Sequence, residues 1–317
     1  MDTVISAQRQ AGTQQVVVIL LGSSLTIMGA VMILPILPKM GAELGPLSAH
    51  ANVLMPLVAT SPALAIAVFA PVAGWLVDRF GRKRLLILAT LAYVMSGFAP
   101  SQLHTLEDIL LSRLLLGIAE AFILTSCTTL IGDYWQEDER QKYVNRQMIL
   151  IGLIGSLFFM IGGRVGEASW RHPFYLYLLP LLLVPFMLKL LWEPVWKVHT
   201  PSTSDVPAER GAWQAIVAAS FLAFAGMAGI FIVPVQAPAI LGNLGINSTT
   251  QIGIAIGIGP LANVLGALLW PFVRKNAGVA LTNAILLGLI ATGLILLVQA
   301  RSYSSFILAI IPHSIGA

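Results

Sequence analysis

Ten apolar runs, near residues 16–38, 52–77, 85–101, 108–132, 146–166, 174–192, 213–240, 250–273, 280–299 and 303–317, take up most of this chain. A helix of about 20 residues crosses about 30 Å of hydrocarbon. The third run is short for that, and the tenth is cut off where the chain ends. In lipid, backbone N–H and C=O groups find partners only within the protein, so only helices and closed barrels can span it. None of the runs shows the apolar/polar alternation of a barrel strand, which leaves helices. Composition agrees. Of all residues 57% are hydrophobic and 10% charged, against roughly 25% charged in water-soluble domains. The expected class is an all-α integral membrane bundle of six spans followed by four, the last incomplete.

Charge sets the expected orientation. With the N-terminus on the cytoplasmic side, Arg9, Arg79, Arg82, Lys83, Arg84, Arg140, Lys142, Arg146, Lys189, Lys197, Arg210, Arg274 and Lys275 fall at cytoplasmic ends. Only Lys39, Arg164, Arg171 and Arg301 fall outside, and Arg113 lies within a span. That imbalance fixes a cytoplasmic N-terminus. A pI near 9.4 could suggest nucleic acid, but short basic loops between apolar runs suit an anionic membrane surface instead. Residues 1–15 are polar, and the run after them passes Leu34 without a cleavage site, so the first span is expected to stay. Cys127 is the only cysteine and sits in an apolar run, which excludes an internal disulfide framework.

Residues 193–212, EPVWKVHTPSTSDVPAERGA, have the Pro, Ser and Thr content of a linker. They divide the chain into an N-terminal six-span bundle (1–192) and an incomplete second bundle (213–317). The two parts read as repeats. ILPILPKMGAELG near the first span aligns with IVPVQAPAILGNLG near the seventh, pairing Pro35 with Pro234, Pro38 with Pro238 and Gly45 with Gly245. Duplicated bundles with a site at their interface suit a transporter.

Between the second and third runs lies GWLVDRFGRKR, residues 74–84. Gly81 can supply the positive φ of a tight reversal, and Gly74 can admit a neighbouring helix. This stretch resembles the signature loop of the major facilitator superfamily, G-x-x-x-D-R-x-G-R-[RK], with Gly74, Asp78, Arg79, Gly81, Arg82 and Lys83 at its fixed positions. The resemblance implies a major facilitator-type bundle of twelve spans, so two spans are expected beyond this chain. It also implies that Asp133 pairs with Arg82, for which two readings stand: a cytoplasmic clamp of Asp78, Arg82 and Asp133 holding the outward-open state, or a screened surface ion pair. In relatives the position of Asp78 meets the eleventh helix, which is expected beyond residue 317.

The fourth run holds Arg113, Gly117, Glu120 and Thr128, whose steps of four, three and eight place them close to one helical face. Glu120 falls near mid-bilayer, with Arg113 about 10 Å nearer the outside at 1.5 Å per residue. Ionisable groups at that depth are costly and default to a functional reading. RLLLGIAEA resembles the fourth-helix motif R-x-x-x-G of the drug/proton antiporter branch through Arg113 and Gly117. Glu120 departs from it, since that position is usually small. Two readings stand: Glu120 carries a coupling proton with Arg113 modulating it, or the two form a structural network. In the fifth run, GLIGSLFFMIGGRVGEASWRHPF, Gly162 and Gly163 match the end of the exporters' G-x-x-x-G-P-x-x-G-G, while Ile154, Phe158 and Phe159 replace its earlier residues. Trp170, Arg171 and Phe174 resemble its W-R-x-x-F exit. Gly155, Gly162 and Gly163 are also candidate packing positions.

Gln236, beside Pro234 and Pro238, and Asn263, after Pro260, are further pathway candidates, because prolines free backbone groups to face a cavity. No run of His, Cys or acids has metal-ligand spacing, and no nucleophile–base motif occurs, so neither enzyme chemistry, metal nor cofactor is expected. The expected function is proton-coupled export of a small amphipathic compound by a monomer in the plasma membrane, with small-molecule substrate, protons and lipid as partners and no nucleic acid. The half-present fifth-span motif keeps proton-coupled uptake as an alternative. The end within the tenth span keeps a sensor or inactive remnant as another.

Overall fold

The computed structural model describes residues 11–194 and 212–317. Among these there is no strand, and nine helices are long and apolar enough to cross a membrane, followed by a shorter apolar one. In chain order the α-helices are α1 (Thr13–Val31), α2 (Leu37–Leu44), α3 (Ala51–Phe80), α4 (Arg82–Phe98), α5 (Leu106–Tyr134), α6 (Glu137–Val165), α7 (Val184–Leu190), α8 (Ala212–Asn243), α9 (Thr249–Val298) and α10 (Tyr303–Gly316); α1 with α2 makes the first spanning segment, α7 ends the sixth, and α9 holds the eighth and ninth on either side of Gly278. Arg9, Lys197, Arg210 and most of the linker 193–212 lie outside the described residues. Two compact units result, with α6 passing from the first to the second after Ile151.

The first unit takes in α1 as far as Ala30, then residues 46–151 and 174–194. At its core lies α5, which contributes Ile109, Leu116, Ile123, Cys127 and Leu130. Thr105 starts α5 by accepting a hydrogen bond from the Asp108 N–H at 3.2 Å, and Glu107 and Asp108 in the first turn favour the positive end of the helix dipole. At Gly117 α5 meets α3 so closely that a Cβ would overlap the Pro62 backbone and the Ala65 side chain. Outward, Leu88, Met95 and Leu115 are exposed. Water would disfavour such a surface; lipid is its natural solvent.

The second unit takes in residues 31–45 and 152–173 and the described part of 195–317. Here α6 and α9 approach through Gly163 and Gly253, each of whose missing Cβ would fall on backbone of the other helix. Ser156 Oγ donates to the Gly257 carbonyl at 2.5 Å across the same contact. Gly266, Gly293 and Gly316 bring α10 against α9 in the same way. Without a hydrophobic drive between helices in lipid, close van der Waals contact through small residues does much of the holding.

Several elements depart from the hydropathy reading. The first span breaks after Val31 into a 3-10 turn, Leu34–Ile36, and then α2, because Pro35 and Pro38 lack the N–H that would continue the helix. Their counterparts Pro234 and Pro238 stay inside continuous α8. Gly45 is helical, whereas Gly245 has φ +81° and closes α8 with bonds from Ile246 N–H to Leu241 O at 2.9 Å and from its own N–H to Gly242 O at 3.0 Å. The sixth span is a 3-10 segment, His172–Leu182, leading to α7; Pro173, Pro180 and Pro185 deny it regular α-helical bonding. Two reversals share one local geometry. Gly81 alone separates α3 from α4, at φ +101°, and Gly278 alone interrupts α9, at φ +73°.

Outside the spans, Glu167 ties the end of α6 to the start of α9. Its Oε2 accepts from Ser248 Oγ at 2.9 Å, Thr249 Oγ1 at 3.0 Å, and the Thr250 N–H and Oγ1 both at 2.8 Å. Lys39 Nζ lies 3.4 Å from its Oε1. Burial alone would raise this acid, but the bonds from Thr250, Ser248 and Thr249 outweigh it and lower its pKa from 4.5 to about 2. The folded value is the depressed one, so the cap's stabilisation is complete above pH 4.5 and disappears as pH falls towards 2.

Glu167→Gln should lower stability by about 1 kcal/mol at neutral pH. Detergent melting curves from pH 7 downwards should show the gap between variant and parent closing only below the ordinary carboxylate range. Gly117→Leu and Gly163→Leu should each cost about 3 kcal/mol or more by forcing packed backbones apart, read as a lower melting temperature. Gly74→Ala, where a Cβ meets nothing within 4 Å, should change stability by no more than about 0.5 kcal/mol.

Candidate functional site

Two polar clusters stand out in the first unit, one within the spans and one at the reversal between α3 and α4. The first is built on α5. Arg113 and Glu120 are both fully buried, and their shared face includes Gly117. Thr128 does not belong to it: at 100° per residue, eight steps from Glu120 leave an 80° rotation, and Thr128 is exposed.

Arg113 and Glu120 make no ion pair with each other. Seven residues separate them, about 10 Å along the axis, and Arg113 turns elsewhere. One of its terminal nitrogens donates to the Gly29 carbonyl of α1, and the other donates to Tyr177 Oη at 3.1 Å. Tyr177, in the 3-10 segment, lies 3.4 Å from the same carbonyl. Tyr93 of α4 donates to Leu25 O at 2.7 Å, and its ring centroid lies 5.5 Å from that of Tyr177. Both Glu120 oxygens and Arg113 Nε lack a hydrogen-bond partner among the described residues. A Cβ on Gly29 would overlap the Glu120 carboxyl group, so that acid occupies space only a glycine leaves open.

The second cluster lies at the end that charge counting assigns to the cytoplasm. Arg82 Nε lies 2.5 Å from Asp133 Oδ2, and its terminal nitrogen lies 3.4 Å from Asp78 Oδ1. These are the three residues the resemblance joined. Arg79 instead lies over the Trp75 ring, 5.3 Å from its centroid, and Lys83 Nζ donates to Leu188 O at 2.8 Å. Gly81 makes the reversal with a positive φ, as expected. Among the described residues nothing lies within 4 Å of where a Cβ on Gly74 would stand. Three basic residues in the first turn of α4 oppose the helix dipole. Glu193 offsets them by accepting from the Arg82 and Lys83 N–H groups at 2.5 and 3.2 Å. Sequence reading missed Glu193 because it begins a stretch of linker composition. It missed Gly29, Tyr93 and Tyr177 because each stands alone in an apolar run; only their small or amphipathic character marked them.

In the second unit, Gln236 on α8 is exposed and lines a groove of about 340 Å³ with Ile232, Val233 and Leu297. Asn263 on α9 is half-buried, and Gly155 is buried. A Cβ at Gly162 would press on Met32 backbone at 3.2 Å. Glu43 accepts from Trp170 Nε1 at 2.8 Å and pairs with Arg171 at 2.6 Å, which gives the W-R pair a structural anchor. Among the described residues no group of three or more His, Cys, Asp or Glu could hold a metal ion.

This arrangement resembles known transporters in sequence and in fold. The chain is 30% identical over 159 residues to Multidrug resistance protein 1 of Bacillus subtilis, covering 50% of this chain and 40% of that protein. It is 26% identical over 165 residues to Quinolone resistance protein NorA of Staphylococcus aureus, covering 51% and 41%. The matched region thus spans less than half the length of these curated relatives. Among solved structures, a D-xylose-proton symporter superposes with TM-score 0.73 at 18% identity, over 96% of this chain and 79% of its own. A bacterial homolog of the human lysosomal transporter Spinster gives 0.72 at 15%, over 95% and 71%. The family model described as Major Facilitator Superfamily matches residues 19–317, and the chain belongs to that superfamily.

Proposed function

We propose that this protein is a secondary active transporter of the plasma membrane that exports a small amphipathic compound in exchange for protons, acting as a monomer. The observation that carries the reading is Glu120, a fully buried acid with neither ion pair nor hydrogen bond among the described residues. A structural carboxylate at that depth would be expected to be saturated with donors. One without them is free to exchange a proton or a cargo contact as access alternates. The multidrug and quinolone resistance proteins among its relatives support export. The mostly apolar spans, with few fixed charges, suit a loosely specific cargo.

Within this reading the pair of Arg82 with Asp133, supported by Asp78, closes the cytoplasmic side and favours the outward-open state. Ionic contacts of this kind bias an equilibrium only by what they gain in one state over the other. Gln236 and Asn263 line the pathway in the second bundle, with the boundaries 1–192 and 213–317 separated by the linker. One observation favours uptake as a second reading: Ile154, Phe158 and Phe159 stand where exporters carry Gly, Gly and Pro.

Cells expressing the protein and challenged with a panel of toxic amphipathic compounds should tolerate some of them better. In everted vesicles those compounds should move when a pH gradient is imposed, and the direction of movement separates export from uptake. Glu120→Gln should reach the membrane normally and lose pH-driven transport by about a hundredfold. Unimpaired pH-driven transport by that variant rejects the coupling role. Asp133→Asn should raise cytoplasmic accessibility of an introduced cysteine about fivefold, the population shift of about 1 kcal/mol. Exchanging the charges, with Arg82→Asp and Asp133→Arg together, should restore part of the closure.

A further inference from the structure

Gly29 touches both buried charges of α5 by different atoms. Its carbonyl accepts from Arg113, with Tyr177 Oη 3.4 Å from the same oxygen. Its bare Cα faces Glu120, where a Cβ would overlap Oε1 and come within 2.9 Å of Cδ. The residue is not at a turn and has no positive φ, since Gly81, Gly245 and Gly278 are the positive-φ glycines among the described residues. Backbone conformation therefore does not require glycine there. Nor does helix packing, because the overlapping atoms belong to the Glu120 carboxyl group rather than to a neighbouring backbone.

We infer that Gly29 is the positioning residue of the buried site: its open face seats the Glu120 carboxyl group, and its carbonyl draws Arg113 away from it. The inference rests on the proposed coupling role of Glu120 and adds what sets that role. An acid released from this seat has a different environment, and its proton affinity changes with it. The titratable groups that face Glu120 are Arg113 on its own helix, Tyr93 on α4 and Tyr177 in the 3-10 segment. From α1 the seat consists of Gly29 itself, and Leu116 of α5 closes one side at 3.3 Å from the same position.

The geometry makes a size-compensation test available. Gly29→Ala adds one carbon where the carboxyl group sits, and Glu120→Asp withdraws that group by one methylene. The full chain, its Gly29→Ala and Glu120→Asp variants and the double variant are reconstituted in lipid and titrated from about pH 4 to about pH 9. The carboxyl C=O infrared band that Glu120→Gln removes reports protonation of this one acid, with protons as the probe. Gly29→Ala should move the band's midpoint by about one pH unit, a tenfold change in proton affinity. In the Glu120→Asp background the same substitution should move it by less than about threefold. Equal shifts in both backgrounds, or none in either, overturn the inference. Where Gly29→Ala prevents folding, recovery of a cooperative melt on adding Glu120→Asp supports the seat, and failure in both backgrounds overturns it. Absence of any titrating band in the parent chain sinks the coupling role instead, and the four melting temperatures then judge the seat separately.

Discussion

The first unit is arranged around the cost of keeping a guanidinium and a carboxyl group out of water. Taking an ionised group into lipid costs several kcal/mol unless protein atoms replace its hydration. For Arg113 the replacement comes from the Gly29 carbonyl and Tyr177. Gly29 stands in the last turn of α1, which ends at Val31, where helical carbonyls have no partner within the helix, so its oxygen is open to Arg113. This demand brings α1, α5 and the 3-10 segment together at one depth. Tyr93 extends the cluster to α4, placing its ring by Tyr177 and its hydroxyl on Leu25 O. Tyrosine suits the task because its apolar body packs like a core residue while its tip supplies a donor.

A second constraint is the single-residue reversal. Where α3 gives way to α4 there is no loop to absorb the charges, so Asp78 and Arg79 fall in the last turn of one helix and Arg82, Lys83 and Arg84 in the first turn of the next. Orientation in the membrane asks for basic residues at this end, while the dipole of α4 disfavours them at its N-terminus. Glu193 and Asp133 reconcile the two demands, one by taking backbone N–H groups and the other by pairing with the Arg82 side chain.

Much of this was legible in the sequence because lipid imposes it. Hydrocarbon thickness sets span length, and the unmet backbone sets helix, so the spans could be read from apolar runs alone. Gly81 was legible because a short reversal needs a positive φ. The partnership of Arg82 with Asp133 came from resemblance rather than from spacing, since 51 residues separate them and no local rule connects them. What stayed hidden depends on three-dimensional detail. The proline effects could be anticipated in kind but not in outcome: Pro35 accompanies a break in the first span, whereas Pro234 is carried within α8. Thr128 was misplaced because a small angular drift per turn accumulates over eight residues. Gly29 carried no visible mark, since its contribution is a side chain it does not have.

Two glutamates show why the surroundings, and not the residue type, decide which acid can do work. Glu167 has four donors on one oxygen and Lys39 near the other, and it stays ionised down to about pH 2. A carboxylate held so firmly cannot release or take a proton at the pH of a living cell; its role is to fasten α6 to α9. Glu120 has the same functional group, no hydrogen-bond partner among the described residues and a seat cut for it by a glycine. On the proposed reading, gain or loss of a proton there is answered by movement of Arg113, of the cargo or of water, since no hydrogen-bond partner among the described residues is in place to compensate. That coupling of protonation to movement is what an alternating machine requires, and it is why the unsatisfied acid, rather than the well-bonded one, carries the proposed function.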